Sequence, residues 1–144
     1  QLQGWQMRAA VVFFAGGSRD KVLALARALA RGIEAQGHQV DIVDGDRDVN
    51  AKMTVYQYVA VGAGPLSAWS GKISDRVGQF LNSAGMVAGK RSFAFVAKNL
   101  AGCSKALTRV MKAMEKEGMF LKFSSILGSA QEAEEIGKRL HLEK

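Results

Sequence analysis

The stretch that decides the fold runs from Ala9 to Gly37 and reads AAVVFFAGGSRDKVLALARALARGIEAQG. Its first six residues are all apolar and predict a buried strand. Ser18 is a candidate helix N-cap, and Gly37 is a candidate helix stop, so a long helix is expected between them. The apolar residues that recur near helical spacing in this helix are Val22, Leu25, Leu29 and Ile33.

The short turn between this strand and this helix has the chemistry of an anion site. Gly16 and Gly17 let backbone N–H groups approach a ligand closely. The helix start carries unpaired N–H donors and a partial positive charge. The turn therefore points to a phosphate-bearing ligand, and a tight strand-to-helix connection without a ligand is the alternative that stays open.

The rest of the chain repeats the alternation of strand and helix. Further strands are predicted at 39–43, 58–62, 92–97 and 119–127, and further helices at 73–84, about 105–117 and 132–142. Nearly continuous apolar strands are typical of a parallel sheet that is covered on both faces. The sequence thus predicts an α/β domain with a doubly wound, five-stranded parallel sheet and two open strand orders. Ligands of such sheets bind outside the carboxyl ends of the strands.

Composition narrows the class of protein. A chain of 144 residues with 48% apolar residues and a single proline predicts one domain, assigned to residues 7–144. Residues 1–6 are interpreted as a leader or a cloning remnant. No apolar run reaches the roughly 18 residues of a membrane span. One cysteine, Cys103, and two histidines are too few for a disulfide framework or a zinc cluster. Because the chain has no disulfide framework, we expect it in the cytoplasm.

The net charge of +7 favours an acidic partner or a solvated basic surface. One predicted helix carries a basic stripe, which we define as Lys105, Arg109, Lys112 and Lys116. No aromatic residues are interleaved with these charges, which argues against nucleic acid as the partner.

Three nucleotide-binding or signalling motifs are absent. The first turn has only two of the three glycines of a dinucleotide fingerprint, and no Gly-Lys-Ser/Thr follows the first strand. The first strand ends in Phe-Phe-Ala and the third in Val-Gly-Ala-Gly, so the acidic cluster of a phosphoacceptor domain is missing.

From Arg8 to about Leu140, the chain resembles the flavodoxin-like family. The resemblance is carried by the strand–turn–helix at 14–22, the loop from Gly62-Ala63-Gly64-Pro65 to Trp69-Ser70-Gly71, and the loop Lys98-Asn99-Leu100. The Gly-x-Pro opening is similar to the quinone-reductase and protoporphyrinogen-oxidase branches. The resemblance implies FMN as cofactor, with the first loop on its phosphate and the other two loops on its isoalloxazine ring. The cofactor-binding residues it implies are Ala15, Gly16, Gly17, Ser18, Arg19, Gly64, Pro65, Leu66, Trp69, Lys98, Asn99 and Leu100.

The phosphate loop departs from the family pattern Ser/Thr-x-Thr-Gly-x-Thr. Its three hydroxyl positions are occupied here by Phe14, Gly16 and Arg19. A guanidinium donates forked hydrogen bonds to phosphate, so Arg19 is a candidate replacement for the lost hydroxyls. The alternative is a surface arginine at a helix start.

Two functions follow from the resemblance and its departure. The first is an FMN-binding redox protein, either an electron carrier for a partner with an acidic surface or an FMN-dependent oxidoreductase of the reductase type. In this function no side chain need act as acid or base. The second is a flavodoxin-fold domain that has lost FMN and serves as a binding module.

Overall fold

The computed structural model describes residues 6–143, so Trp5 and most of the predicted leader lie outside the described residues. Five strands alternate with four helices, and all adjacent strands pair in parallel. The elements are β1 (Arg8–Phe14), α1 (Arg19–Glu34), β2 (Gln39–Asp44), β3 (Tyr58–Ala63), α2 (Arg76–Ser83), β4 (Arg91–Ala97), α3 (Cys103–Lys116), β5 (Phe120–Leu127) and α4 (Ala130–Arg139).

The predicted fold class is confirmed, and the strand order is β2-β1-β3-β4-β5. The three central strands are almost wholly buried, as their continuous apolar runs predict. The edge strands β2 and β5 are partly exposed, which explains their mixed polar and apolar sequences. The order reverses at β1 and β3, so a crevice is expected beyond the carboxyl ends of these strands.

The side chains of each strand alternate between two apolar layers. Ala9, Val11 and Phe13 of β1 face the layer that contains α1 and α4. Their neighbours Ala10, Val12 and Phe14 face the layer that contains α2 and α3. One helix pair therefore covers each face of the sheet. No helix among residues 6–143 is long and apolar enough to cross a membrane.

Two predicted helix boundaries are wrong for local reasons. Helix α2 begins at Arg76 and not at Ile73, because the Ser74 hydroxyl accepts a hydrogen bond from the Arg76 amide and ends the preceding loop there. Helix α4 begins at Ala130 and not at Glu132, because the Ser129 hydroxyl accepts from the Glu132 amide at 3.2 Å. This Ser-x-x-Glu spacing is a sequence signature of a helix N-terminus.

The end of α4 is also earlier than predicted. The helix ends at Arg139, and Leu140 is extended. The Gln36 amide, from the turn after α1, donates to the carbonyl oxygens of Gly137 and Leu140 at 2.7 and 2.9 Å. These bonds satisfy carbonyls that the end of a helix leaves unpaired.

Helices α1 and α4 touch backbone to backbone at a pair of glycines. A Cβ atom on Gly137 would collide with the Leu29 carbonyl oxygen and would lie 2.9 Å from the Gly32 Cα. The close crossing of these two helices therefore depends on glycine at both positions.

We predict that Gly137→Ala lowers the free energy of unfolding by about 1–3 kcal/mol, because the added methyl group must separate two packed helices. Urea denaturation measures this change. Gly78→Ala is the matched control: Gly78 lies in α2, and an added Cβ would have no neighbour within 4 Å. The control should gain up to about 1 kcal/mol from its higher helix propensity. Equal destabilisation by both variants would contradict the packing argument.

Candidate functional site

The carboxyl ends of the central strands lead into three loops at one edge of the sheet. The first loop is residues 15–18, the second is residues 64–75 and the third is residues 98–102. A cavity of about 520 Å³ lies between them, which we call the carboxyl-edge cavity. This volume is in the range of ligand pockets in proteins.

Half of the predicted cofactor-binding residues line this cavity. They are Gly17, Ser18, Pro65, Lys98, Asn99 and Leu100. The others lie at the same edge but outside the lining, and they are Ala15, Gly16, Arg19, Gly64, Leu66 and Trp69. Sequence reasoning missed four lining residues, namely Lys21, Ser67, Ala68 and Gly128.

The glycines of the first loop contact the second loop. Gly16 has a φ angle of 60°, and a Cβ atom there would collide with the Gly64 carbonyl oxygen. The Gly17 amide donates to the Pro65 carbonyl oxygen at 3.0 Å. These glycines therefore allow the first loop to approach the second loop closely, where the sequence had suggested a close approach to a ligand.

Other amides of the first loop are also engaged. The Ala15 amide donates to the Asp46 carboxylate at 2.8 Å, and the Ser18 amide donates to the Ala15 carbonyl oxygen at 3.2 Å. The amides that remain for a ligand are those of the first turn of α1, where Arg19, Asp20 and Lys21 have no preceding helical turn to bond to. Ser18 is the N-cap residue of α1, but its side chain makes no capping hydrogen bond. Its hydroxyl therefore remains available at the cavity.

Arg19 is paired with an acidic side chain of β2. Its guanidinium donates to Asp44 Oδ2 at 2.5 Å and lies 5.3 Å from the centre of the Phe13 ring. Burial favours a higher pKa for Asp44, but the Arg19 hydrogen bond and charge, with the Asp46 and Arg47 amides, hold the pKa of Asp44 below its ordinary value of 3.8. Arg19 is thus committed to the β1–β2 side of the loop.

Two lysines bring positive charge to the carboxyl-edge cavity. Lys21 lies in the first turn of α1, and its Nζ donates to the Lys98 carbonyl oxygen at 2.7 Å. Both side chains are exposed. The position of Lys21 could have been noticed in the sequence. A cation in the first turn of a helix interacts unfavourably with the helix dipole, and so a stabilising acceptor or anion near it is expected.

The second and third loops are bound to each other. The Asn99 amide donates to the carbonyl oxygens of Ser67 and Ser70, both at 2.9 Å. The backbone amides of Leu100 and Ala101 donate to the Ala68 carbonyl oxygen at 3.0 and 3.1 Å. The two loops therefore close on each other at the place where the family resemblance expects the isoalloxazine ring.

This closure leaves one polar atom without a partner. Asn99 Oδ1 is buried and accepts no hydrogen bond among the described residues. Its orientation is fixed, because the amide nitrogen must face the two carbonyl oxygens that accept from it. A buried acceptor without a donor costs about 1–3 kcal/mol, so the closed arrangement of these loops is incompletely satisfied.

Two large apolar side chains of the second and third loops are exposed, and only Leu100 of the two lines the cavity. Trp69 and Leu100 are 73% and 72% exposed. The Trp69 amide donates to the Ser67 hydroxyl at 3.4 Å, and the indole covers no part of the cavity lining. In the closed arrangement Trp69 is therefore a surface side chain beside the cavity.

No family model and no curated protein matches the chain by sequence. Solved structures do match it. A flavodoxin from the domain Archaea is 20% identical with a TM-score of 0.70, and the match covers 92% of this chain and 95% of that one. A flavodoxin from Streptococcus pneumonia TIGR4 is 14% identical with a TM-score of 0.70, covering 92% of this chain and 93% of that one.

A flavodiiron protein from Giardia intestinalis is 18% identical with a TM-score of 0.67. That match covers 94% of this chain but only 35% of the longer flavodiiron protein. The matches extend over nearly the whole chain, although few residues are identical. Together with the parallel order β2-β1-β3-β4-β5, they establish that this chain has the flavodoxin-like fold.

Proposed function

We propose that the protein is an FMN-binding redox protein and that the carboxyl-edge cavity receives the cofactor. When bound, FMN supplies the electron or hydride chemistry, and the protein positions it and sets its electrostatics. The solved structures that resemble the chain include flavodoxins and a flavodiiron protein, which supports this choice of cofactor class.

The donor set of the cavity fits a phosphate monoester. Lys21 and Lys98 supply two ammonium groups, Ser18 and Ser67 supply hydroxyl groups, and the first turn of α1 supplies free amides. These groups replace the missing hydroxyls of the family's phosphate loop. The net charge of +7 also favours an anionic ligand.

The single observation that carries the proposal is the unpartnered Asn99 Oδ1, which belongs to a residue that lines the cavity together with Lys21 and Lys98. A ligand with both an anionic group and hydrogen-bond donors would satisfy the cavity and this oxygen together. FMN carries a phosphate and the hydroxyls of its ribityl chain. Binding would replace some hydrogen bonds between the second and third loops and give Asn99 a donor.

A second candidate is the binding module that has lost FMN. It is favoured by the amides of Ala15 and Gly17, which are bonded within the protein, and by the closure of the second loop on the third. In this function the exposed basic stripe on α3 would contact an acidic partner protein. Arg109 of the stripe also donates to the Gly71 carbonyl oxygen, which connects the stripe to the second loop.

We predict that FMN binds saturably and about tenfold more tightly than riboflavin, because only FMN presents a phosphate to the two lysines. Quenching of flavin fluorescence measures both dissociation constants. The double variant Lys21→Gln, Lys98→Gln should bring the two constants close together. Lys112→Gln, Lys116→Gln is the matched control, since it removes the same charge from α3.

Equal affinities of the unsubstituted protein for FMN and riboflavin would contradict the proposed phosphate site. Binding of neither flavin would remove the redox function and leave the binding module as the function of this fold.

We predict that Arg19→Ala leaves FMN affinity unchanged and lowers the free energy of unfolding, because Arg19 pairs with Asp44. The pKa of Asp44 is depressed in the folded protein, so this stabilisation is present above pH 3.8 and is lost as the pH falls through the folded-state pKa. The loss of stability in the variant, measured by denaturation, should therefore be largest near pH 7 and should shrink as the pH is lowered below 3.8. A loss of FMN affinity in Arg19→Ala would restore this arginine as a phosphate ligand.

A further inference from the structure

A second cavity lies at the opposite edge of the sheet, where the strands begin. Its volume is about 480 Å³, and β3, β5 and the end of α4 surround it. We call it the amino-edge cavity. Apolar walls come from Phe123, Ile136 and Leu140. The function proposed above does not use this cavity, and no residue lines both cavities.

A bulge in β5 shapes one wall of the amino-edge cavity. Ser92 of β4 lies opposite Leu121, and Phe93 lies opposite Phe123, so Lys122 is an extra residue in β5. In a regular ladder Lys122 would lie opposite Phe93. The bulge instead lets Phe123 stack on Phe93, with ring centres 5.6 Å apart, and places Lys122 in the lining as well. Phe123 remains 51% exposed, so an apolar aromatic surface faces the cavity without a protein partner covering it.

The charged side chains that line the amino-edge cavity, Lys122 and Arg139, are both cationic. Lys122, Arg139 and His141 line it, and no aspartate or glutamate does among the described residues. Apolar walls beside basic side chains form a site for a ligand with an apolar body and an anionic head.

Tyr58 supplies a hydrogen-bond donor at the same cavity. The residue is 1% exposed, and its hydroxyl forms no hydrogen bond with any residue between 6 and 143. Burial raises the pKa of Tyr58 far above its ordinary value, so the hydroxyl keeps its proton at neutral pH. The hydroxyl can therefore donate to a ligand in the cavity, and an anionic oxygen such as that of a carboxylate is a strong acceptor for it.

We propose that the amino-edge cavity binds a small aromatic carboxylate. Its ring would contact Phe123 and Leu140, and its carboxylate would lie among Tyr58, Lys122 and Arg139. An aromatic body suits this site because the Phe123 residue in its lining is half exposed and aromatic rings favour offset-stacked or edge-to-face contacts. The proposal is independent of FMN binding, since the two cavities lie at opposite edges of the sheet.

Calorimetric titration of the full chain with 1-naphthoate, and separately with the neutral 1-naphthamide, tests the proposal. We expect saturable binding of 1-naphthoate that is about tenfold tighter than binding of the amide. Tyr58→Phe and Arg139→Gln should each weaken the binding of 1-naphthoate by about threefold or more. Lys112→Gln, which removes a charge from α3, should leave it unchanged.

Equal affinities for the acid and the amide, or no saturable heat, would overturn the proposal. If Lys112→Gln weakened the binding of 1-naphthoate as much as Arg139→Gln does, the effect would come from the net charge of the protein and not from this cavity. That result would also overturn the proposal. If FMN displaced 1-naphthoate, the two would share a site at the carboxyl edge, and the proposal for the amino-edge cavity would be overturned. A dimer that covers the cavity, detected by sedimentation and insensitive to 1-naphthoate, would assign this surface to a second copy of the chain. If Tyr58→Phe does not fold, the exposed Arg139 carries the test.

Discussion

The backbone contact between the first and second loops is the constraint on which the carboxyl edge depends. Gly16 and Gly17 have no side chains, and so the chain after β1 lies directly against Gly64 and Pro65. The first loop is thereby only four residues long, and α1 begins at once beside the cavity. Hydrogen bonds from Asn99 then join the third loop to the second. The carboxyl-edge cavity is the space between these three loops, which are held together by hydrogen bonds to their backbone carbonyl oxygens.

The two edges of the sheet differ in the acidic residues that lie near their basic side chains. At the carboxyl edge, Asp44 accepts a hydrogen bond from Arg19 and Asp46 accepts one from the Ala15 amide, and neither carboxylate lines the cavity that Lys21 and Lys98 line. At the amino edge, Lys122 and Arg139 line a cavity to which no aspartate or glutamate between residues 6 and 143 contributes. Both cavities therefore present positive charge, the first with hydroxyls and amides and the second with aromatic walls. This difference is the physical basis for expecting a polar phosphate ligand at one edge and an apolar anion at the other.

The sequence predicted the sheet far better than it predicted the site. The predicted bounds of all five strands lie within one residue of those observed. In β1, β3 and β4 burial on both faces leaves little choice of residue type, and so their apolar runs are nearly continuous. The start of α4 was misjudged where the local signature of Ser129 and Glu132 was overlooked. Arg19 could not be placed from its neighbours in sequence, since its partner Asp44 lies on another strand. The position of Lys21 in the first turn of α1 was visible in the sequence, but its contact with the Lys98 carbonyl oxygen, 77 residues away, was not.

The central claim is that the carboxyl-edge cavity binds FMN through its phosphate, and the most direct measurement is the amide NMR spectrum of the labelled protein during a titration with FMN. The account predicts saturable shifts of the amides that line this cavity, among them Lys21, Ser67, Asn99 and Gly128, with the amides at the C-terminal end of α4 unmoved. Resonances that stay in place throughout the titration, or that move only at the amino edge, would contradict it.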